Sequence, residues 1–506
     1  MTRTFAFAVA SLSLMASPAA AQTPQAAAER MQAFLDRFPE AGPGYAVVAV
    51  SAEETLLMDV RGEARAATGA PLTADTPIYI ASQTKAFMGL LAARLDAEGV
   101  LSLDSTLADH WPDLALPGDL DASDWTLRDL LSHQLPIDVE TITTLEAYVT
   151  RVDPADYPGL IAARGEMRDP GFDYSNLGYN IYGAILETVT GRTWQDWLDA
   201  AVLDPLGLDR TGARTSDFDL DDQAWGHIWT GQETGWFEVR PKTDAQMQSA
   251  GGMTMAPADM AVWLQTQLRG AGPDGSGLTQ AVFDEAHAPA ADVDPEARNA
   301  YELPCDGYAL GWNVCDFEGH ALYIHGGGYT GARTMMAFSP DLGVGVASFS
   351  NSDKMTGWLT SRTVIQFLQF VIDHEDADRW ADTRAEQYPG RVADLHDWLI
   401  ERREEARGEA VYQGWDWSPA PAALAAYVGT YVSEDLYAPV TVRQGEDGAL
   451  TASWGDYALR LEPAAPDVFG GTQHPMDTPE LIRFDRDADG AVEGLIIFAE
   501  TRAERR

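Results

Sequence analysis

The period of the apolar pattern changes repeatedly along this 506-residue chain, and those changes constrain the fold more than any single motif. The stretch "GYAVVAVSAEETLLMDVRGEA", starting at Gly44, reads as two strands, preceded by a helix pattern in "AAAERMQAFLDRF". The middle follows a helical period, in segments such as "LGYNIYGAILETV", "TWQDWLDAAVL" and "PADMAVWLQTQLRG". Near residue 308 the period returns to two, and "YALGWNV", "HALYIHG", "RTMMAFS" and "GVGVASFS" predict an antiparallel meander. Strands at both ends of a helical middle predict one sheet completed by distant parts of the chain.

From about Val364 to Arg407 the chain reads as helical and highly charged, until "GWDWSPAPAA" interrupts it. From about Leu424 onward short strands alternate with turns, as in "YVGTYVS", "PVTVRQ", "ALTASWG", "YALRLEP", "ELIRFDRD" and "VEGLIIFA". That spacing predicts a small all-β barrel or sandwich. The expected fold class is therefore an α/β (α+β) domain with an antiparallel sheet and a helical lobe, followed by a small barrel-like domain. The expected bounds are a signal peptide over 1–21, the main domain over 22–377, a helical linker over 378–418 and the all-β unit over 419–506.

Charge narrows the function classes. The formal net charge is -44, from 34 Lys and Arg against 78 Asp and Glu. A nucleic-acid binder needs a basic footprint, so no nucleic-acid partner is expected. Anionic lipid surfaces would repel the same charge. The opening "MTRTFAFAVASLSLMASPAAAQ" has one Arg, an apolar run and a small-residue end at Ala19-Ala20-Ala21. It reads as a secretory signal cleaved after Ala21, which implies a periplasmic or secreted protein without a stable membrane anchor. Cys305 and Cys315 are the two cysteines. "GYALGWNV" between them reads as a strand, which would hold its ends too far apart for a disulfide. A bridge requires a bend near Gly307 or Gly311, and the sequence leaves both states open.

Lysine is scarce, with Lys85, Lys242 and Lys354 alone in the chain. Lys85 lies in "IASQTKAFMGLLAARL", an apolar helical run, one turn after Ser82. A serine at a helix start meets backbone N–H groups that favour negative charge, and a lysine three positions on shares its face. A buried lysine can lose its proton more easily or hold a nearby anion, which suits an activated serine nucleophile. The alternative is an N-cap serine beside a surface lysine. In about 500 residues one Ser-x-x-Lys match by chance is unremarkable.

Two further stretches add weight. "PGFDYSNLGYN" supplies Tyr174-Ser175-Asn176 in a Gly- and Pro-led loop before a helix, and "YIHGGGYTG" supplies His325-Gly326-Gly327 at a strand end. In this order the three motifs resemble those of the serine β-lactamase and penicillin-recognising hydrolase family. The resemblance is closest to its class C-like branch of D-aminopeptidases, D-alanyl-D-alanine carboxypeptidases and esterases. It extends to "WTLRDLLSHQ", "DPLGLDRTG", "AGGMTMAPADMAVWL" and "YALGWNV" and spans about residues 30–375. It implies an α/β domain beside an all-helical lobe, with the active site between them. It implies Ser82 as nucleophile, with Lys85 and Tyr174 sharing its activation. A phenol with an ordinary pKa of ~10 needs nearby positive charge to act as a base. It further implies Asn176, His325, Gly326 and Gly327 as substrate-binding residues and the N–H groups of Ser82 and Gly328 as an oxyanion hole. The C-terminal unit resembles the lipocalin-like barrel that follows some of these serine peptidases.

There are departures from the pattern. His325 stands where β-lactamases usually carry Lys, and a neutral imidazole holds a carboxylate less firmly. This points away from an efficient β-lactamase and toward amide, peptide or ester substrates. The loop "SHQLPI" lacks the Thr-Ser-Gly often seen in relatives. Other motifs read as decoys: Gly326–Gly331 matches G-x-G-x-x-G but leads into a strand, and Lys242-Thr243-Asp244 lacks a final glycine. "DRDADG" at Asp485–Gly490 has no Glu at the twelfth position and reads as a hairpin turn. The expectation is an exported serine hydrolase working through an acyl-enzyme on a small-molecule or short-peptide substrate, with no cofactor and no metal. Its rivals are a β-lactamase proper and a non-catalytic peptidoglycan- or ligand-sensing protein on the same fold.

Overall fold

In a computed structural model, which describes residues 23–38, 42–295, 303–352, 354–498 and 501–506, the main domain is built on one antiparallel sheet. The expected signal peptide lies outside the described residues. Helix α1 (Pro24–Leu35) leads into β1 (Gly44–Ser51), β2 (Thr55–Arg65) and β3 (Ala70–Pro71). The sheet is completed by β4 (Ala291–Asp292), β5 (Cys305–Tyr308), β6 (Asn313–Phe317), β7 (His320–Tyr329), β8 (Ala332–Ser339) and β9 (Val344–Ser350). Its order is β4-β5-β6-β7-β8-β9-β1-β2-β3, so β1 pairs with β9 and the sheet closes between early and late strands, as the period change predicts.

Alternation along β1 sorts its side chains between two layers. Tyr45, Val47 and Ala49 pack with α1 and with the helix α5 (Lys354–Val371) that follows β9. Ala46, Val48 and Val50 pack with the helix α4 (Pro257–Arg269) and the helical lobe. The lobe contains α2 (Thr84–Ala97) and α3 (Leu177–Thr190). Every residue of α2 from Thr84 to Leu95 except Arg94 is buried, so this helix is a core element and not a surface amphipath.

The reading of "GYALGWNV" as one strand is corrected. The chain turns between β5 and β6, with Gly311 at φ +88°, and Cys305 faces Cys315 across the resulting hairpin. The two cysteines form a disulfide. A side chain at Gly311 would place its Cβ 2.3 Å from the carbonyl oxygen of Lys85, so the bend lies directly on α2.

Helix α6 (Ala377–Arg407) runs on from the body, and its side chains are mostly exposed. Beyond it, eight strands among the described residues, from Gly429–Val432 to Thr501–Arg505, close into an antiparallel barrel. Alternate residues point inward, as in Val440, Val442, Leu450 and Ala452. Closure leaves no sheet edge to protect. "DRDADG" forms the hairpin turn expected of it, with Asp487 accepting from the N–H groups of Asp489 and Ala491. The barrel touches the body where Asp456 N–H donates to Val149 O at 2.8 Å and Tyr437 Oη donates to Asp156 Oδ2 at 2.6 Å. No helix among the described residues is long and apolar enough to cross a membrane.

Candidate active site

Ser82 sits in a short 3-10 turn, Ala81–Gln83, that runs directly into α2. The turn begins at Ala81 with φ +48°, a left-handed conformation that a non-glycine residue holds only when its surroundings enforce it. Those surroundings are present: Ile80 N–H donates to Met253 O at 3.0 Å, and Thr334 Oγ1 donates to Ile80 O at 3.2 Å. The cap positions of the turn and the helix carry no side-chain cap bond, so Ser82 does not serve as an N-cap.

Lys85 is fully buried, which removes the surface-lysine alternative. Its Nζ donates to Ser82 Oγ at 3.4 Å, Asn176 Oδ1 at 2.7 Å and Ala250 O at 2.8 Å. These acceptors come from the turn before α2, from the loop before α3 and from the loop near Ala250. A buried ammonium needs such oxygens around it. The Nζ also lies 4.8 Å from the centre of the Tyr174 ring, so the four residues of the first two motifs meet at one point.

The third motif lies on β7. His325, Gly326, Gly327 and Gly328 line an open cavity of about 410 Å³ with Ser82, Tyr174 and Arg333. His325 is 1% exposed. Its Nδ1 lies 2.7 Å from Gly326 O, and since a carbonyl only accepts, Nδ1 carries a proton. Its Nε2 meets the Tyr308 hydroxyl at 3.4 Å. Gly327 serves close packing, because a Cβ there would come within 2.0 Å of Ile80 O. Gln83 Nε2 donates to His325 O at 3.3 Å and ties the Ser82 turn to the same strand. Residues Gly326–Gly331 form a strand running into a turn to β8, not a strand leading to a helix.

Three residues of this neighbourhood escaped the sequence reading. His133, in the "SHQLPI" loop, is buried at φ +61° and packs at a tilt with its ring centre 4.5 Å from that of Tyr174, while Ser175 N–H donates to its Nδ1 at 3.2 Å. It backs the Tyr174 loop. Arg333 pairs with Gly328 across β7 and β8 and enters the cleft. Lys242, read as a loop lysine, is instead buried behind Tyr329, with its Nζ 4.0 Å from that ring, 5.2 Å from Tyr79 and 5.8 Å from Tyr148. Burial pulls its pKa down to about 7. The scarcity of lysine was the one signal available for it. Among the described residues no group of three or more His, Cys, Asp and Glu is placed to hold a metal ion.

Comparison with known proteins is consistent with this geometry. The family model described as Beta-lactamase matches residues 31–366. Unguisins hydrolase ungD' of Aspergillus campestris (strain IBT 28561) is 24% identical over 421 residues, spanning 78% of this chain and 73% of that protein. The octameric penicillin-binding protein homologue from Pyrococcus abyssi superposes with a TM-score of 0.56 at 20% identity, over 94% of this chain and 99% of that one. The D-amino acid amidase from Ochrobactrum anthropi SV3, complexed with D-phenylalanine, superposes with a TM-score of 0.57 at 21% identity, over 69% of this chain and 99% of that one. At these identities the structural likeness speaks for the fold.

Proposed function

This chain belongs to the Beta-lactamase family, a family of hydrolases, and on that premise we propose that it is an exported serine hydrolase of amide, peptide or ester bonds, acting through an acyl-enzyme. The observation that carries the reading is the buried Lys85, bonded at once to Asn176 Oδ1 and to the Oγ of Ser82, which lines an open cleft with Tyr174. In the proposed reaction Ser82 Oγ attacks the substrate carbonyl and its proton passes to the Lys85–Tyr174 unit. The N–H groups of Ser82 and Gly328 hold the resulting oxyanion. The leaving amine or alcohol departs with that proton. Water then attacks the acyl group, the acid is released and Ser82 is restored. The D-amino acid amidase likeness supports amide substrates, the unguisins hydrolase likeness supports hydrolysis, and the absence of a lysine at position 325 argues against an efficient β-lactamase. The Cys305–Cys315 disulfide supports an oxidising, extracytoplasmic site of action.

The test is active-site labelling with a fluorescent phosphonate, then turnover of D-amino acid amides, dipeptides, short p-nitrophenyl esters and a chromogenic cephalosporin. Label should appear at Ser82, and Ser82→Ala should abolish turnover without unfolding the protein. A mutant that keeps more than about a thousandth of the wild-type rate would remove Ser82 from the role of nucleophile.

A further inference from the structure

Tyr174 belongs to the proposed activation unit, yet the stretch that carries it, residues 172–175, lies in no helix or strand. Its place in the cleft therefore depends on where the backbone groups around it find their partners. On both sides of Tyr174 they find the same residue. Asp173 N–H donates to His133 O at 3.0 Å, and Ser175 N–H donates to His133 Nδ1 at 3.2 Å. Between these two bonds the imidazole packs on the Tyr174 ring itself.

His133 is in turn held from behind. The short helix Leu127–Leu131 ends beside it, His133 N–H donates to Leu130 O at 3.3 Å, and Gln134 N–H donates to Asp129 O at 2.9 Å. A Cβ at Gly178 would come 2.1 Å from Leu130 O, so α3 lies directly on the same short helix. The rings of Tyr308 and Phe172 stand edge-on to the imidazole, with centres 4.7 and 5.7 Å away. Ala81, next to Ser82, and His133 both have positive φ. Backbone strain of this kind gathers at functional sites. Here it brings a carbonyl and a ring nitrogen of one residue onto the two flanks of Tyr174. Because Nδ1 accepts from an N–H, the His133 ring is neutral with its proton on Nε2, whereas the Nδ1 of His325 carries a proton.

We propose that His133 is a positioning residue, which clamps both flanks of Tyr174 through its carbonyl and its Nδ1 and so holds the phenol beside Lys85. The proposal rests on the serine-hydrolase reading for its effect on rate. The carbonyl half of the clamp survives any substitution at 133, and the Nδ1 half does not. Asn places an acceptor oxygen at the same bonded distance from Cβ as Nδ1 and tolerates a left-handed backbone. Gln places that oxygen one carbon further out, and Phe fills the ring space with no acceptor.

The test compares His133→Phe, His133→Asn and His133→Gln in the full chain, with an acetyl-capped amino-acid p-nitrophenyl ester and a D-amino acid amide as substrates and circular dichroism as the check on folding. His133→Phe should lower kcat by about 10- to 100-fold and change KM by less than about threefold, since a displaced group slows the chemical step more than binding. His133→Asn should restore most of the loss, and His133→Gln should not. Added to Tyr174→Phe, His133→Phe should cost less than about threefold more, because both changes act at one phenol. A structural role would instead give losses that follow Tm and that add in full to Tyr174→Phe. Wild-type kcat in His133→Phe, an Asn variant no better than the Gln variant, or full additivity with Tyr174→Phe would each overturn the clamp. If His133→Phe does not fold, the comparison of Asn with Gln decides. Hydrogen exchange at the Ser175 amide, read by mass spectrometry, reports the clamp without turnover: it should be faster in His133→Gln than in the wild type and close to the wild type in His133→Asn. Equal exchange in all three would overturn the clamp whatever the nucleophile proves to be. Failure of the hydrolase reading looks different: no phosphonate label and no turnover of the ester, with the exchange pattern as expected.

Discussion

Lys85 and Lys242 are both buried, yet their surroundings differ in kind. Lys85 has three oxygen acceptors, whereas Lys242 Nζ donates, among the described residues, only to Gln246 O at 3.5 Å beside three tyrosine rings. Burial lowers the Lys242 pKa from 10.5 to about 7, so between those values the unfolded chain binds more protons than the folded one. Stability from this group therefore rises with pH across that window, and the penalty is full below about 7. Lys242→Met should raise Tm by at least about 2 °C at pH 6 and by less than half as much near pH 9.5, measured by calorimetry. An equal shift at both pH values would show that shape, and not charge, decides the effect. Ser82, Lys85, Tyr174 and Asn176 were legible because short spacings carry them. His133 and Lys242 were not, because the rings that surround them come from separate segments, Tyr308 and Tyr329 among them, that only the folded chain brings near.

Elements meet here backbone to backbone. α2 passes the hairpin bend so closely that a Cβ on Gly89 would come within 2.0 Å of Leu310 O, and β7 passes the start of the Ser82 turn equally closely at Gly327. Gly327→Ala should therefore push β7 away from Ile80, and with it Gly328 from Ser82. A displacement near 1 Å at such a site costs on the order of a hundredfold in rate, so kcat/KM should fall by about that factor while circular dichroism stays native. Wild-type kinetics in the variant would mean that the strand yields without moving the site. The strands themselves were readable from their period of two. The bend between β5 and β6 was not, since Gly311 lies on α2, an element far off in sequence.

At the scale of the whole molecule, body and barrel join through polar contacts, including the Arg164–Asp435 ion pair, Asp456 with Val149 and Thr243, and Tyr437 with Asp153 and Asp156, and their buried apolar residues form one contiguous cluster. A chain cut to residues 22–418 should keep the body fold and one cooperative transition, at a lower Tm, because the barrel covers Val149. Circular dichroism and size-exclusion chromatography check this, and a molten or insoluble fragment would mean that the two units share one core. The barrel was legible as a series of short strands, but its place beside the cleft was not, because nothing local in "QHPMDT" marks it as a cavity wall.

The pairing of Tyr45 with Ser350 has a consequence for synthesis. A ribosome delivers β1 and the Ser82 turn early, and it delivers β7 to β9 only after the whole helical lobe has emerged. Until then the apolar edge of β1 has no strand beside it on that side, and contacts of such long sequence separation form slowly. A nascent chain in that interval depends on chaperone cover against aggregation. It also holds Ser82 without the strand that carries Gly328, so the proposed oxyanion hole is complete only once translation has completed the sheet.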